Sequence, residues 1–238
     1  MNTHHHHNVD FIDQAYQEKP RADLFSIVKK LRDMHTAHTR FLYIAEVKER
    51  AAKGNLEKDL TNYYLSYQEK FGMTGLCLVM GNLYIHLTEC EPEYFRDMVE
   101  TLKEEVKSNN IYKGVWVIHY TEENAERLYD SWICKSISMS GTSKQIKNLE
   151  EHERYWTIYE GFIKISDKVK EEQDDDKNKI GMSIKQNASD LIPAGEELLS
   201  ITTENEMSLE EFIEFYFVPP DIILEGERCW PAEPDLTY

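Results

Sequence analysis

The sequence predicts an α+β domain with a ferredoxin-like core over residues 40–139, and three features lead there. Within those residues the hydrophobic pattern changes period in the order strand, helix, strand, strand, helix, strand. Two apolar runs, 73–80 and 83–88, are joined only by Gly81-Asn82, a dipeptide suited to a two-residue hairpin turn. The chain has 238 residues, of which 41% are hydrophobic, enough to build one sizeable core. An antiparallel sheet with two helices on one face satisfies this order most economically, and a helical and irregular C-terminal extension follows it.

Residues 1–39 form a polar N-terminal segment and a short helix at 23–38, in which Leu24, Ile27, Val28 and Leu31 share a face. Residues 40–47 alternate around Phe41, Tyr43 and Ala45 as a first strand. Leu56, Leu60, Tyr63, Tyr64 and Tyr67 recur at helical spacing, so a helix runs over 56–71 and stops before Gly72. The hairpin follows, then Pro92 opens a second helix whose apolar stripe is Phe95, Met98, Val99, Leu102 and Val106. VWVIHY, after Gly114, reads as a strand rich in branched and aromatic residues. A short helix is expected at 122–129 and an edge strand at 132–139.

Residues 140–190 comprise a Ser-Gly-Thr-Ser linker, a helix of roughly five turns carrying Leu149, Trp156, Tyr159, Phe162 and Ile163, and a solvated loop at EEQDDDKNK, 171–179. Residues 191–238 form an acidic arm with twelve acids and one base, Arg228. Within it Ser208-Leu209-Glu210-Glu211 fits a capping box for a helix through Phe217, stopped by Pro219-Pro220. Large apolar groups are interspersed among these acids, at Phe212, Phe215, Tyr216, Phe217, Ile222, Ile223 and Trp230. Such a segment is expected to dock, on its own domain or on a partner. Trp156, Phe212, Phe215, Tyr216 and Trp230 are the candidate contact residues.

Charge and motifs exclude several function classes. With 44 acidic against 27 basic residues, the formal charge of −17 repels nucleic acid and anionic lipid. No apolar run approaches the length of a membrane span and the N-terminus is polar, so neither anchor nor secretory signal is expected. The four cysteines, Cys77, Cys90, Cys134 and Cys229, contain no C-x-x-C pair and read as reduced thiols. Hydrolase, metalloprotease and nucleotide-binding motifs are missing. His4 to His7 have no second ligand group beside them, and His35 with His38 lack the acid or thiol spacing of a metal site. Glu89 and Glu91 read as surface charge at a strand end, and Cys90 as a packed, inert thiol. No catalytic residue and no metal site are assigned.

From Phe41 to Cys134 the chain resembles the BLUF domain, a flavin-binding blue-light sensor module with a ferredoxin-like core. FLYIAEV resembles its first strand, GMTGLCLVMGNLYIHLTEC its hairpin, and RLYDSWICK its Arg-x-Phe-x-x-Trp-x-Met ending, with Trp132 at the tryptophan and Cys134 at the methionine. In that family a strand tyrosine, a helix asparagine and a strand glutamine surround the flavin. The resemblance places Tyr43 at the tyrosine, Gln68 at the asparagine and His86 at the switching glutamine, beside Trp132. An imidazole cannot present both faces of the amide that photochemistry requires. The resemblance therefore implies a degenerate flavin site at Tyr43, Gln68, His86 and Trp132 that holds no cofactor.

YIHLTECEPEYF, the W-x-C ending, LIPAGEELL and PPDIILEGERCWP together are similar to the testis-expressed BLUF-like proteins of the sperm flagellum. That resemblance implies a non-enzymatic component of the cytoplasm and ciliary axoneme, such as one in a radial-spoke or doublet-associated complex, with other axonemal proteins as partners. The alternative from a different class is a sensor in which a flavin or another small ligand between the helices regulates partner contacts.

Overall fold

The hairpin at the centre of the fold is short because Gly81 adopts φ 66, a left-handed conformation that costs a glycine nothing. The structure is a computed structural model and describes residues 37–48, 54–108, 111–137, 146–171, 177–202 and 207–219. In chain order the elements are β1 (His38–Val47), α1 (Leu56–Phe71), β2 (Thr74–Met80), β3 (Leu83–Cys90), α2 (Pro92–Ser108), β4 (Tyr112–Asn124) and β5 (Trp132–Ser136). The helices α3 (Glu151–Glu171), α4 (Lys177–Leu191), α5 (Gly195–Ile201) and α6 (Leu209–Phe217) follow.

The strands lie in the order β4-β1-β3-β2-β5. The first four pair antiparallel in the ferredoxin-like arrangement, and β5 adds to the outer edge of β2 in parallel. Gly75 in β2 has φ 137, and a Cβ there would lie 2.0 Å from the carbonyl oxygen of Leu87. Only glycine permits β2 and β3 to approach at that point.

Both faces of the sheet are covered. Phe41, Tyr43, Cys77, Tyr84 and Val117 point to the face shared with α1, α2 and α6. Leu42, Ile44, Leu76, Leu78, Ile85 and Leu87 point to the face covered by α3, α4 and α5. Burial on two sides explains why β2 and β3 read as nearly continuous apolar runs. On α3 the side chains of Ile158, Phe162 and Ile165 are wholly buried, each contributing about 2 kcal/mol of apolar burial. The helix of roughly five turns expected around Trp156 and Phe162 thus runs from Glu151 to Glu171 and builds the second layer of the core.

Several expectations are corrected. The helix expected at 23–38 lies outside the described residues up to 36, and His38 belongs to β1, where it pairs with Asn124. The helix expected at 122–129 does not form. β4 continues to Asn124, whose side-chain amide donates to the His38 carbonyl at 2.8 Å, and Glu123, at φ 57, sits at the irregularity between the Arg40–Thr121 and His38–Asn124 pairs. Beyond it, the Leu128 and Tyr129 N–H groups donate to the Glu89 carboxylate at 2.8 and 3.0 Å, drawing the backbone out of a helical path.

Glu89 is accordingly not a surface charge. It is wholly buried, ion-paired to Arg40 at 2.9 Å, and its remaining lone pairs are met by those two amides and the Thr74 hydroxyl. Arg40 also donates to the Tyr159 hydroxyl at 3.1 Å and to the Glu126 carbonyl at 2.6 Å, tying the sheet, the 125–130 segment and α3 together. Cys90 is packed, and burial pushes its thiol up to about 12.

Of the expected charged loop at 171–179, Glu171 closes α3 and Lys177 opens α4; 172–176 lie outside the described residues, as do the expected 140–143 linker and Trp230. The capping box at Ser208 is present. Its hydroxyl accepts from the Glu211 N–H while the Glu211 carboxylate accepts from the Ser208 N–H. The same turn covers the β4 edge, because the Val117 N–H donates to the Met207 carbonyl at 2.9 Å.

Candidate functional site

Tyr43 on β1 and His86 on β3 are directly paired across the sheet, so alternation sends both side chains to the face beneath α1. Tyr64 descends from α1, and Trp132 enters from the start of β5. The Tyr43 hydroxyl lies 2.6 Å from that of Tyr64 and 2.7 Å from His86 Nδ1, and Trp132 Nε1 lies 2.7 Å from His86 Nε2.

Donor chemistry sets the direction of this chain. An indole N–H only donates, so His86 Nε2 accepts and the neutral imidazole carries its proton on Nδ1. Nδ1–H then donates to Tyr43, which donates to Tyr64. The path continues weakly from Tyr64 to Tyr84 at 3.5 Å and from Tyr84 to Tyr112 at 3.3 Å. A second phenol pair, Tyr63 and Tyr67, closes at 2.8 Å on the same helix.

Burial dominates the electrostatics. His86 has no exposed surface, and burial lowers its pKa from 6.5 to about 3, which keeps the ring neutral. Burial likewise pushes the phenols of Tyr43, Tyr64 and Tyr84 well up. The web is uncharged and holds no acid or base poised to exchange protons near neutral pH. Among the described residues no group of three His, Cys, Asp or Glu could hold a metal ion.

The structure brings Tyr43, His86 and Trp132 together and leaves Gln68 apart from them. Helical side chains lean towards the helix N-terminus, and the inward position over His86 belongs to Tyr64, one turn before Gln68. Its ring centroid lies 4.7 Å from that of His86. Gln68 is half-buried and lines an outer crevice of about 510 Å³ between α1 and β5, with Leu65, Trp132, Cys134 and Lys135. Tyr64 was legible only as one of three tyrosines on an apolar helix face.

The residues present do not fit a flavin between α1 and α2. The cavity over the web, lined by Phe41, Tyr43, Tyr64, Tyr67, Met73 and Met98, measures about 10 Å³, room for one water at most, and a second one between the helices, lined by Leu56, Leu60, Tyr63, Glu105 and Tyr112, measures about 150 Å³. Cofactor sites enclose on the order of several hundred cubic ångströms. Both ring nitrogens of His86 are already engaged within the protein, so the imidazole has no site left for a flavin edge.

The candidate contact residues divide. Phe212 is buried, with ring centroids 5.3 Å from Phe41 and 5.4 Å from Tyr120, so it docks on its own domain and offers no surface to a partner. Tyr216 stacks on it at 5.5 Å with one edge outward. Phe215 is 78% exposed and Trp156 56%, the latter lying over Tyr159 at 5.8 Å.

Comparison with known proteins follows this geometry. The chain is similar to the BLUF domain of Klebsiella pneumoniae BlrP1, at 18% identity over 41% of this chain and 62% of that one, with a TM-score of 0.33. It is similar to BlsA in its ground state at 19% identity, over 42% and 63%, with a TM-score of 0.32. A bacterial light-regulated adenylyl cyclase gives 18% identity over 63% and 40%, with a TM-score of 0.33. The chain spans less than two thirds of the length of each of these structures. No curated protein sequence matches it. No helix among the described residues is long and apolar enough to cross a membrane. The family model described as testis-expressed protein 47 matches residues 37–217, three quarters of the chain, and the chain belongs to that family.

Proposed function

We propose that this protein is a non-catalytic scaffold of a ciliary or flagellar axonemal complex, a radial-spoke or doublet-associated assembly being the setting that suits it. The observation that carries the reading is the filled interior. The space beneath α1 around His86 is occupied by the protein's own aromatic side chains, whose polar groups satisfy one another, so this part of the core is built for shape. A testis-expressed family and a strongly acidic chain fit a role in contacts with other axonemal proteins, not with nucleic acid or membrane.

The docking surface would draw on exposed apolar groups that the core leaves free, Phe215 and Val218 at the end of α6 and Trp156 on α3. Substituting Phe215 and Val218 together by serine is expected to lower incorporation into axonemes severalfold at unchanged circular dichroism. Undiminished incorporation would contradict the scaffold reading of this surface. The sensor alternative, in which a flavin or other small ligand sits between the helices, is disfavoured for a flavin by cavities of only about 10 and 150 Å³ there.

A further inference from the structure

Two of the described cysteines face one another across neighbouring strands. Cys77 on β2 and Cys134 on β5 are register partners in a parallel pair, and both point to the α1 face. Both are free thiols, and that of Cys77 is hydrogen-bonded to that of Cys134. Both are buried, Cys134 keeping 7% of its surface exposed and Cys77 none. Cys134 lines the outer crevice of about 510 Å³ with Glu57, Gln68 and Lys135, whereas Cys77 lies behind it with no exposed surface.

We propose that Cys134 and Cys77 form a dithiol site for hydrogen peroxide, in which Cys134 is oxidised through the crevice and Cys77 resolves the product into a disulfide. In the first step the Cys134 sulfur attacks one peroxide oxygen. The O–O bond breaks, a sulfenic acid forms, and the other oxygen leaves as water with the thiol proton. In the second the Cys77 sulfur attacks the Cys134 sulfur. An S–S bond forms, the S–O bond breaks, and the hydroxyl leaves as water with the Cys77 proton. Two thiols are oxidised and one peroxide is reduced to two waters.

The location supports these roles. Burial pushes the Cys77 thiol well up, so it rests protonated and out of reach of solutes, and it gives up its proton only as it meets the adjacent Cys134 sulfur. β5 is the edge of the sheet, hydrogen-bonded along one side only to β2. In-register strands are separated by about 4.8 Å, whereas the Cβ atoms of a relaxed disulfide are about 3.8 Å apart. The bond would therefore draw β5 inward and be strained, which favours ready reduction and hence reversibility. At the mouth of the crevice the Glu57 carboxylate holds the Ser136 N–H at 2.9 Å, with the Lys135 ammonium at 3.9 Å. Movement of β5 would be felt there and at Trp132, the donor to His86.

The test uses the full chain treated with hydrogen peroxide, with peptides mapped by mass spectrometry without reduction. The expected result is a linked pair of peptides containing Cys77 and Cys134, lighter by two hydrogen atoms and restored by dithiothreitol. In Cys77→Ser the sulfenic acid should persist and be trapped by dimedone at Cys134, with severalfold more adduct than in wild type. Cys134→Ser should yield no Cys77 product. Oxidation confined to Cys90 or Cys229, or a Cys134 adduct in wild type with no link to Cys77, would overturn the proposal. The wild-type map decides the matter even if Cys77→Ser fails to fold.

Discussion

His86 illustrates how one residue is read differently by pattern and by geometry. The resemblance marks it as the place of a lost amide. The structure shows what replaced that amide, an imidazole locked as the Nδ1–H tautomer between Trp132 and Tyr43. His86→Ala should cost about 2–5 kcal/mol, because the Trp132 donor and the Tyr43 acceptor lose their partners in the interior. His86→Gln should cost less, since an amide can serve both. Urea unfolding of the two variants beside wild type checks the order. Acid adds a signature. The folded pKa of about 3 lies below the unfolded 6.5, so the unfolded chain binds the proton first. The stability associated with the neutral ring is complete above 6.5 and is lost as the pH falls towards 3, by about 1.4 kcal/mol per unit. Removing the imidazole should make the decline shallower. Glu89 carries the opposite lesson, because its strand-end position suggested surface charge and nothing in the local pattern identified Arg40 as its buried partner. Glu89→Gln should destabilise by about 3 kcal/mol, since it leaves the Arg40 guanidinium without its counter-charge. A shift in thermal midpoint measures it.

At the scale of elements, the parts with local signals were legible in the sequence. α1 occupies 56–71, Pro92 opens α2, and the capping box at Ser208 opens α6, all as the spacing and cap chemistry predict. Ser208→Ala should cost about 1 kcal/mol by leaving the first-turn N–H of Glu211 unmet. Hydrogen exchange at the α6 amides, faster in the variant than in wild type, reports it. The elements that were misread depend on distant partners. The segment at 122–129 has helical patterning, yet its amides are claimed by Glu89, forty residues away. β5 has no signal for direction, because its parallel pairing with β2 follows from where the 125–130 segment is tied. Tyr64 supplanted Gln68 for a similar reason. Which residue of a helix faces inward is set by the sheet beneath it, and periodicity alone leaves one turn equivalent to the next.

For the whole molecule, the ferredoxin-like order was legible and the second layer was not. The sequence led to helices on one face only, and packing shows that α3, α4 and α5 cover the other, where Leu76, Leu78, Ile85 and Leu87 lie. The result is a sheet closed on both faces, with an acidic surface and a few exposed aromatic groups. Its interior is occupied by the tyrosine, histidine and tryptophan web at the positions that the sequence resemblance marked as a degenerate flavin site. That closed interior is the centre of the account, and it is tested most directly by titrating the purified full-length protein with FMN and FAD while following flavin fluorescence. No quenching and no shift in visible absorbance are expected at any ratio. Saturable binding of one flavin per chain, with an absorbance shift on illumination, would contradict it.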